Sequence, residues 1–290
     1  MRFSAAAMAP TALVCLLGAM PVAWAQNETV TLTGTQPKQE TIIRDFVRSF
    51  APPSRTLKKI ARWQDPVCPY TAGLQPDVAT KVSARVKQVA AQIGAPTKDG
   101  KCTVNVQIIF AFDPQAVLDE ARHHYKNLIG DVYGPSDAEE KTKVTHPIQA
   151  WYGTEIKDDW GNRVPSEPCW PKYCIVVSKG GNINDGLQSV FSNVLVVVDL
   201  NKVNGQDINA VSDYVAMLAL SQSKSFDDCR QLPTITNLMS PGCDDELKAK
   251  ALTAEDIAYL HGLYKAGAGD KMNLMESDIE GEIAKGQAGH

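Results

Sequence analysis

The sequence predicts an α+β protein in which helices pack against a twisted mixed sheet. Strand-like and helix-like patterns alternate along the chain, as they do in sheets that are covered by helices. One segment, "SNVLVVVDL", is apolar on both faces, which is typical of a strand in the middle of a sheet. With 44% hydrophobic residues, the chain can also bury a large core. We therefore expect a single α+β domain over residues 41–265.

Residues 1–25 have the features of an export signal. Arg2 supplies a positive charge, residues 12–20 are apolar, and Ala23-Trp24-Ala25 forms a small-x-small cleavage site. The mature chain then begins at Gln26, which predicts a periplasmic or extracellular protein. No later segment is apolar enough to predict a transmembrane helix.

Cysteine usage agrees with export. Six of the seven cysteines follow the signal, and an even number in an exported chain predicts disulfide bonds. Spacing alone does not fix the connectivity, and the simplest arrangement joins neighbours in sequence. Those pairs are Cys68–Cys102, Cys169–Cys174 and Cys229–Cys243. Zinc binding is the alternative role, although the CxxC spacing typical of zinc sites is absent.

Charge and motif content argue against several classes of protein. The formal net charge is −4, and no dense Lys/Arg cluster indicates nucleic-acid binding. The G-x-S-x-G nucleophile motif is absent, and Gly180-Gly181 lies outside any phosphate-loop pattern. We expect no cofactor, and an unknown protein or peptide ligand as the partner.

Two helices are predicted in the first part of the mature chain. Residues 26–40 are polar and are expected to be flexible. "QETIIRDFVRSF" is amphipathic and should form a short helix that ends before Pro52-Pro53. Pro76 begins a second helix, which ends at Gly94. Its apolar stripe consists of Val78, Val82, Val86, Val89 and Ile93.

A strand and another helix are expected next. "CTVNVQIIFAF" alternates and predicts a strand with Val104, Val106, Ile108 and Phe110 on one face. Asp113 should cap a helix that begins at Pro114 and runs to residue 130.

Residues 131–171 are predicted to form a loop-rich insert. The insert contains Trp151, Trp160 and Trp170. These side chains either line a groove for a peptide or glycan, or they anchor the insert in the core.

The C-terminal part is predicted to contain two strands and two helices. "YCIVVSKGG" and "SNVLVVVDL" should be the strands, and Asp207 should cap a helix over 208–222. Thr253 should cap the C-terminal helix, with acidic residues in its first turn. The tail, 266–290, is Gly-rich and is expected to fray.

The segments "INAVSDYVAMLALSQ", "TITNLMS" and "LTAEDIAYLHGLY" follow one another as helix, methionine-bearing turn and capped helix. This layout resembles the core of the metzincin branch of zinc peptidases. In that family, two histidines at i and i+4 on the first helix bind zinc, and a glutamate beside the first histidine is the general base. A third ligand follows the helix, and the methionine turn lies beneath the metal. The resemblance therefore implies a zincin-like fold over about residues 100–265.

The resemblance also implies which residues stand at the active-site positions. The two helical ligand positions fall on Ser212 and Ala216, the general-base position on Asp213 and the third ligand position on Gln222. Met239 takes the place of the turn methionine. Because Ser, Ala and Gln do not form a normal zinc shell, the resemblance implies a non-catalytic relative that binds a partner in the cell envelope.

Three other interpretations remain open. An active metal-dependent hydrolase could take its ligands from His123, His124 and His146, because two carboxylate–histidine pairs lie at i, i+4 on one helix. The same residues are also typical of a solvated helix face. An envelope binding module could use the tryptophan-rich insert. Finally, Ile208, Val211, Val215 and Leu218 form an ordinary apolar stripe that would also suit an unrelated α+β domain.

Overall fold

The computed structural model of the chain describes residues 38–50, 57–130, 135–164, 186–223, 229–267 and 269–288. These residues belong to one compact unit, Pro37–His290. Its secondary structure mixes helices and strands, so the predicted α+β class is confirmed. The predicted strand at "YCIVVSKGG", together with Trp170, Cys169 and Cys174, lies outside the described residues.

A mixed sheet is the central layer of the described residues. Its strands are β1 (Pro69–Ala72), β2 (Val106–Ala111), β3 (Ile148–Asp158), β4 (Arg163–Val164) and β5 (Leu187–Asp199). The strand order is β1-β2-β5-β3-β4. β1, β2 and β5 run parallel, whereas β3 is antiparallel to both β5 and β4. The apolar strand "SNVLVVVDL" forms most of β5 and takes the middle position, as predicted.

Seven α-helices surround this sheet in the described part of the chain. They are α1 (Gln39–Phe50), α2 (Pro76–Gln92), α3 (Pro114–His124), α4 (Pro135–Lys141), α5 (Ile208–Leu220), α6 (Ala254–Lys265) and α7 (Met272–Ala288). The predicted caps are present: the side chains of Asp113, Asp207 and Thr253 accept backbone N–H groups of α3, α5 and α6. Helix α3 ends earlier than predicted, and a 3-10 turn, Lys126–Leu128, follows it.

The two sheet faces have separate cores. Alternate residues of β2 and β5, such as Ile108 and Val196, face the larger core with α2 and α5. The residues between them on β5, Leu195 and Val197, belong to a smaller core with Leu118 of α3. β5 is therefore buried on both faces, which explains why its sequence does not alternate.

Helix α5 is buried all round rather than along one stripe. Every residue from Ala210 to Leu220 is buried. The helix packs against α2, β5, β3, α6 and the 3-10 helix Ile235–Met239. The amphipathic stripe read from the sequence therefore describes only part of its contact surface.

The prediction of a fraying tail is wrong for most of its length. Residues 272–288 form helix α7, which packs against α6 and α1. Met275, Ile279 and Ile283 are buried there at intervals of four residues. The glycines in the tail led to the prediction of an irregular segment, because glycine is unfavourable in the interior of a helix.

The loop-rich insert also contains regular structure. Its residues 148–158 form β3, which pairs with β5 along its whole length except for a bulge at Gly153/Thr154. Helix α4 precedes this strand. The insert is therefore part of the sheet.

Two of the three predicted disulfides are confirmed. Cys68 is joined to Cys102 and Cys229 to Cys243. Both bonds fit a secreted, disulfide-bonded protein. A separate finding concerns membranes: within the described ranges, no helix is both long and apolar enough to span a bilayer.

Gly262 sets how closely α6 and α7 approach each other. A Cβ at this position would lie 2.7 Å from the Cα of Ile279. Gly281 on α7 is a matched control, because a Cβ there would meet nothing within 4 Å.

We predict that Gly262→Ala lowers the free energy of unfolding by about 1–3 kcal/mol, because the backbone of α7 must move away. Gly281→Ala should raise it by about 0.5–1 kcal/mol, since alanine favours a helix interior. Urea denaturation of both variants measures the difference. Equal gains in stability would show that the two helices do not touch at Gly262.

Candidate functional site

The candidate site is the region around α5 to which the sequence resemblance assigns the active-site positions. β5 leads into this helix through a short turn, and Asp207 caps its first turn by accepting the backbone N–H of Asn209 at 2.8 Å. The 3-10 helix Ile235–Met239 and α6 pack against α5. The three sequence segments of the resemblance are thus neighbours in space.

Asp213, at the general-base position, accepts structural hydrogen bonds with both of its carboxylate oxygens. Its Oδ1 accepts a hydrogen bond from Arg85 Nε of α2 at 2.5 Å. Its Oδ2 accepts the backbone N–H of Leu252 at 2.9 Å. The carboxylate is 4% exposed. It therefore links α2, α5 and the segment before α6, and each of its oxygens already accepts a structural hydrogen bond.

The two helical ligand positions offer no open metal donor. The Ser212 hydroxyl donates to the carbonyl oxygen of Ile208, one turn earlier, at 2.6 Å. Ala216, one turn later, is completely buried. An alanine methyl group and a hydroxyl bonded back to its own helix cannot replace two imidazoles.

A shallow cleft lies beside these residues, between α2 and α5. It has a volume of about 560 Å³, and Ser212 and Asp213 form part of its α5 wall. Arg85 and Gln88 line the α2 side. The cleft opens toward α2, and its lining combines the Arg85–Asp213 ion pair with amide side chains and apolar groups.

Aromatic donors close the C-terminal end of α5. The Trp63 indole N–H donates to the carbonyl oxygen of Ala219 at 2.8 Å, and the Tyr264 hydroxyl donates to that of Leu220 at 2.9 Å. Both carbonyls belong to the last turn, which has no helical partners for them. Burial raises the pKa of Tyr264 well above its usual value, so the hydroxyl stays a donor.

Gln222, at the third ligand position, lies just beyond this end and is half-buried. Its neighbour Ser223 directs its backbone N–H toward the hydroxyl of Tyr152, 3.4 Å away. Burial also raises the pKa of Tyr152 far above the usual range. Next to Gln222, Ser223 is therefore held by the tyrosine hydroxyl and by the guanidinium of Arg230, whose Nη2 lies 3.3 Å from the Ser223 hydroxyl.

Met239 ends the 3-10 helix that follows α5, and its side chain is partly buried against the larger core. Asn237 holds this turn together. Its Nδ2 lies 3.0–3.2 Å from the carbonyl oxygens of Arg230, Leu232 and Leu247, and its Oδ1 accepts the Arg230 N–H at 3.0 Å. The Cys229–Cys243 disulfide closes the same segment covalently. The methionine-bearing turn is thus a rigid element.

Asp256 connects this turn to α6. It accepts the backbone N–H groups of Ile235 at 2.8 Å and Thr253 at 3.0 Å, and also the hydroxyl of Thr234. Complete burial raises the pKa of this carboxyl to about 6, although the three donors oppose the shift. The sequence signal for this contact is the T-x-x-D capping box, which predicted the cap but not the bond to the turn.

The structure does not gather the histidines of the alternative hydrolase. His124 Nε2 lies 4.0 Å from Glu120 at the exposed end of α3, and the ring centroids of His123 and His124 are 6.4 Å apart. His146 lies in the loop before β3, where its Nδ1 is 2.7 Å from the Thr145 hydroxyl. No group of three His, Cys, Asp or Glu residues suited to a metal occurs in the part of the chain that the structure describes.

The tryptophans of the insert are also separated. Trp151 lies on β3, is 5% exposed and donates its indole N–H to the Lys141 carbonyl at 2.6 Å. Trp160 lies in the turn between β3 and β4 and is 56% exposed. Trp151 therefore anchors the smaller core, and at about 3.3 Å per residue the strand carries Trp160 some 20 Å or more away.

Sequence reasoning missed the buried arginine that joins this region to α1. Arg230 is 4% exposed, its Nε donates to the Ser49 hydroxyl at 3.0 Å, and its guanidinium carbon lies 4.3 Å from the Phe50 ring centroid. No motif could have indicated its contact with α1, because Ser49 is 181 residues away in sequence.

A comparison with protein-family models, curated proteins and solved structures finds no match for this chain. The geometry of the site itself therefore carries the functional interpretation. The site around α5 consists of polar groups that are hydrogen-bonded within closely packed helices and strands.

We predict that Asp213→Ala lowers the free energy of unfolding by about 2–3 kcal/mol, because Arg85 and the Leu252 N–H lose a charged acceptor. The double variant Arg85→Met with Asp213→Leu should recover part of this loss, since it removes both charges. Thermal and urea denaturation of the three proteins test the prediction. If Asp213→Ala were as stable as wild type, the Arg85–Asp213 pair would contribute nothing to the free energy of unfolding.

The raised pKa of Asp256 predicts a defined pH dependence. Because the folded-state pKa is about 6 and the unfolded value is 3.8, the folded state holds this proton more tightly. The contribution to stability is therefore largest below pH 4 and declines as the pH rises to about 6.

We expect the difference in unfolding free energy between wild type and Asp256→Asn to change on the order of 2–3 kcal/mol over that interval. Urea titrations at pH 4, 5, 6 and 7 measure this difference. The contributions of the other titrating groups cancel, because those groups are the same in both proteins. A difference that stays constant with pH would contradict the assignment.

Proposed function

We propose that this chain is an exported, non-catalytic protein with a zincin-like frame, and that it acts by binding a protein or peptide in the cell envelope. The observation that carries the proposal is the state of the positions that would hold and activate zinc. Ser212 is bonded to its own helix, Asp213 is bonded to Arg85 and to the backbone, and Ala216 is buried without a donor atom.

Several features of the frame support a zincin-like arrangement. β5 leads directly into α5, and the antiparallel strand β3 lies beside β5 away from β2. A tight, disulfide-closed turn that bears Met239 packs under α5, and a capped helix follows it. The helix, the methionine-bearing turn and the capped helix follow one another in the order that the sequence resemblance implies.

Other features support binding rather than hydrolysis. The polar groups near α5 are engaged in contacts that join elements, as in the Asn237 and Asp256 networks. A catalytic carboxylate needs access to substrate and to water. Asp256 is completely buried, and Asp213, although it borders the cleft between α2 and α5, is only 4% exposed and is bonded to Arg85 and to the Leu252 backbone.

The proposal predicts that the mature chain holds no stoichiometric zinc. Purified protein would be loaded with zinc, passed through gel filtration and analysed for metal by atomic emission. We expect well under one zinc ion per chain. We also expect no chelator-sensitive cleavage of denatured casein, because the described residues contain no group of three His, Cys, Asp or Glu side chains suited to a metal ion.

One tightly bound zinc ion per chain together with chelator-sensitive cleavage would overturn the proposal. The triple variant His123→Ala, His124→Ala, His146→Ala then decides where the metal binds. Loss of zinc in that variant would assign the alternative hydrolase. Retained zinc would place the metal at other residues.

A further inference from the structure

Strand β1 forms an unpaired edge of the sheet in the described residues. It is the outermost strand of the order β1-β2-β5-β3-β4, and its only neighbour there is β2. The carbonyl oxygen of Cys68 accepts the Val106 N–H at 3.3 Å, so even-numbered residues of this strand point toward β2. In a parallel ladder the direction alternates, and Thr71 therefore directs both its N–H and its C=O outward.

A groove runs along this outer edge. It has a volume of about 480 Å³ and is formed by residues 69–74 and by Pro76, Ala79, Thr80 and Ser83 of α2. None of these residues carries a charge. The side chains of α2 that line it are small, so an added backbone could lie against β1 without meeting a bulky residue.

The two faces of the edge differ in character. Thr71 points toward α2, where its hydroxyl lies 2.8 Å from that of Ser83, and the residue is 6% exposed, at the wall of the groove. Tyr70 lies on the opposite face of the sheet and is 58% exposed. A strand added beside β1 would therefore place alternate side chains next to small hydroxyl and methyl groups, and next to an aromatic ring.

The edge is held in an extended conformation before any partner arrives. The Cys68–Cys102 disulfide precedes β1, and Asn105 Oδ1 accepts the Cys68 N–H at 2.8 Å. At the other end, Gly73 has φ +87°, and a Cβ there would overlap the carbonyl of Phe110. A pre-ordered edge lowers the entropy cost of binding an extended chain.

We infer that β1 is a binding site for an extended, uncharged polypeptide segment, which adds to the sheet as a further strand. The outward N–H and C=O of Thr71 recognise the backbone of this segment, and the groove beside α2 accepts small side chains. Pro69 has no N–H to donate, so the number of backbone bonds is small and affinity is modest. This inference rests on the proposed function, because it names where and how the protein would bind its peptide partner.

The test uses the full mature chain and a capped hexapeptide of alternating valine and serine. Amide hydrogen exchange and chemical shifts of Thr71 are followed by NMR as the peptide is added at millimolar concentration. We expect exchange of the Thr71 amide to slow by about tenfold or more at saturation, because it gains a backbone hydrogen bond. No change at Thr71 would overturn the inference.

Backbone recognition is separated from side-chain contact by two N-methylated peptides. One carries N-methyl groups on its valines and the other on its serines. Because alternate residues of a strand face its neighbour, only one of the two should retain binding. Equal binding of both would contradict strand addition.

Groove-filling variants test the location. Thr80→Phe should weaken binding by about tenfold, because it fills the groove while the edge stays intact. Ala91→Phe is the matched control: Ala91 is exposed on the same helix but lies outside the groove, and binding should change less than about twofold. Equal loss in both variants would show that the groove is not the site.

Two further outcomes are distinguishable. Protection of Thr71 that depends on protein concentration without peptide would mean that the edge pairs with a second copy, which would overturn the inference. Bound zinc with cleavage of casein would instead refute the proposed function, whatever Thr71 shows.

Discussion

The burial of helix α5 from Ala210 to Leu220 is the constraint on which the rest of the structure depends. The helix is surrounded by the sheet, α2, α6 and the turn that bears Met239. The buried polar groups of this helix need partners inside the protein, because they are largely withdrawn from water. Asp213 finds Arg85 and the Leu252 backbone, and the last carbonyls find Trp63 and Tyr264.

This enclosure connects structure to function. In a helical zinc site, one face of the helix must remain open to metal, water and substrate. Here the ion pair of Asp213 joins three elements, and loss of the pair would leave a buried charge. Asp213 cannot serve both as the partner of this ion pair and as a general base. The contacts that stabilise this frame are therefore also the reason that we propose binding in place of hydrolysis.

The sequence predicted the parts of the fold that depend on local patterns. Burial on both faces made β5 recognisable, and caps at Asp113, Asp207 and Thr253 fixed where helices begin. It failed where tertiary contacts overrule local preference: α7 forms despite its glycines because Met275, Ile279 and Ile283 are buried against neighbouring helices. At the candidate site, the sequence placed Asp213 correctly on α5, but its pairing with Arg85 joins residues 128 apart and has no local signal.

The two sides of the sheet offer different opportunities for binding. β3 pairs along its length with β5 and, on its other side, with β4 at Ile156 and Lys157, and its Trp151 belongs to the smaller core. β1 is short, rigidly held and paired on one side among the described residues. Since exposed edges invite pairing with another chain, a protein that keeps one beside an uncharged groove must either protect it or use it. Pro69 limits such pairing without abolishing it, because Thr71 still presents a donor and an acceptor, and this combination favours a selective, modest-affinity contact over aggregation.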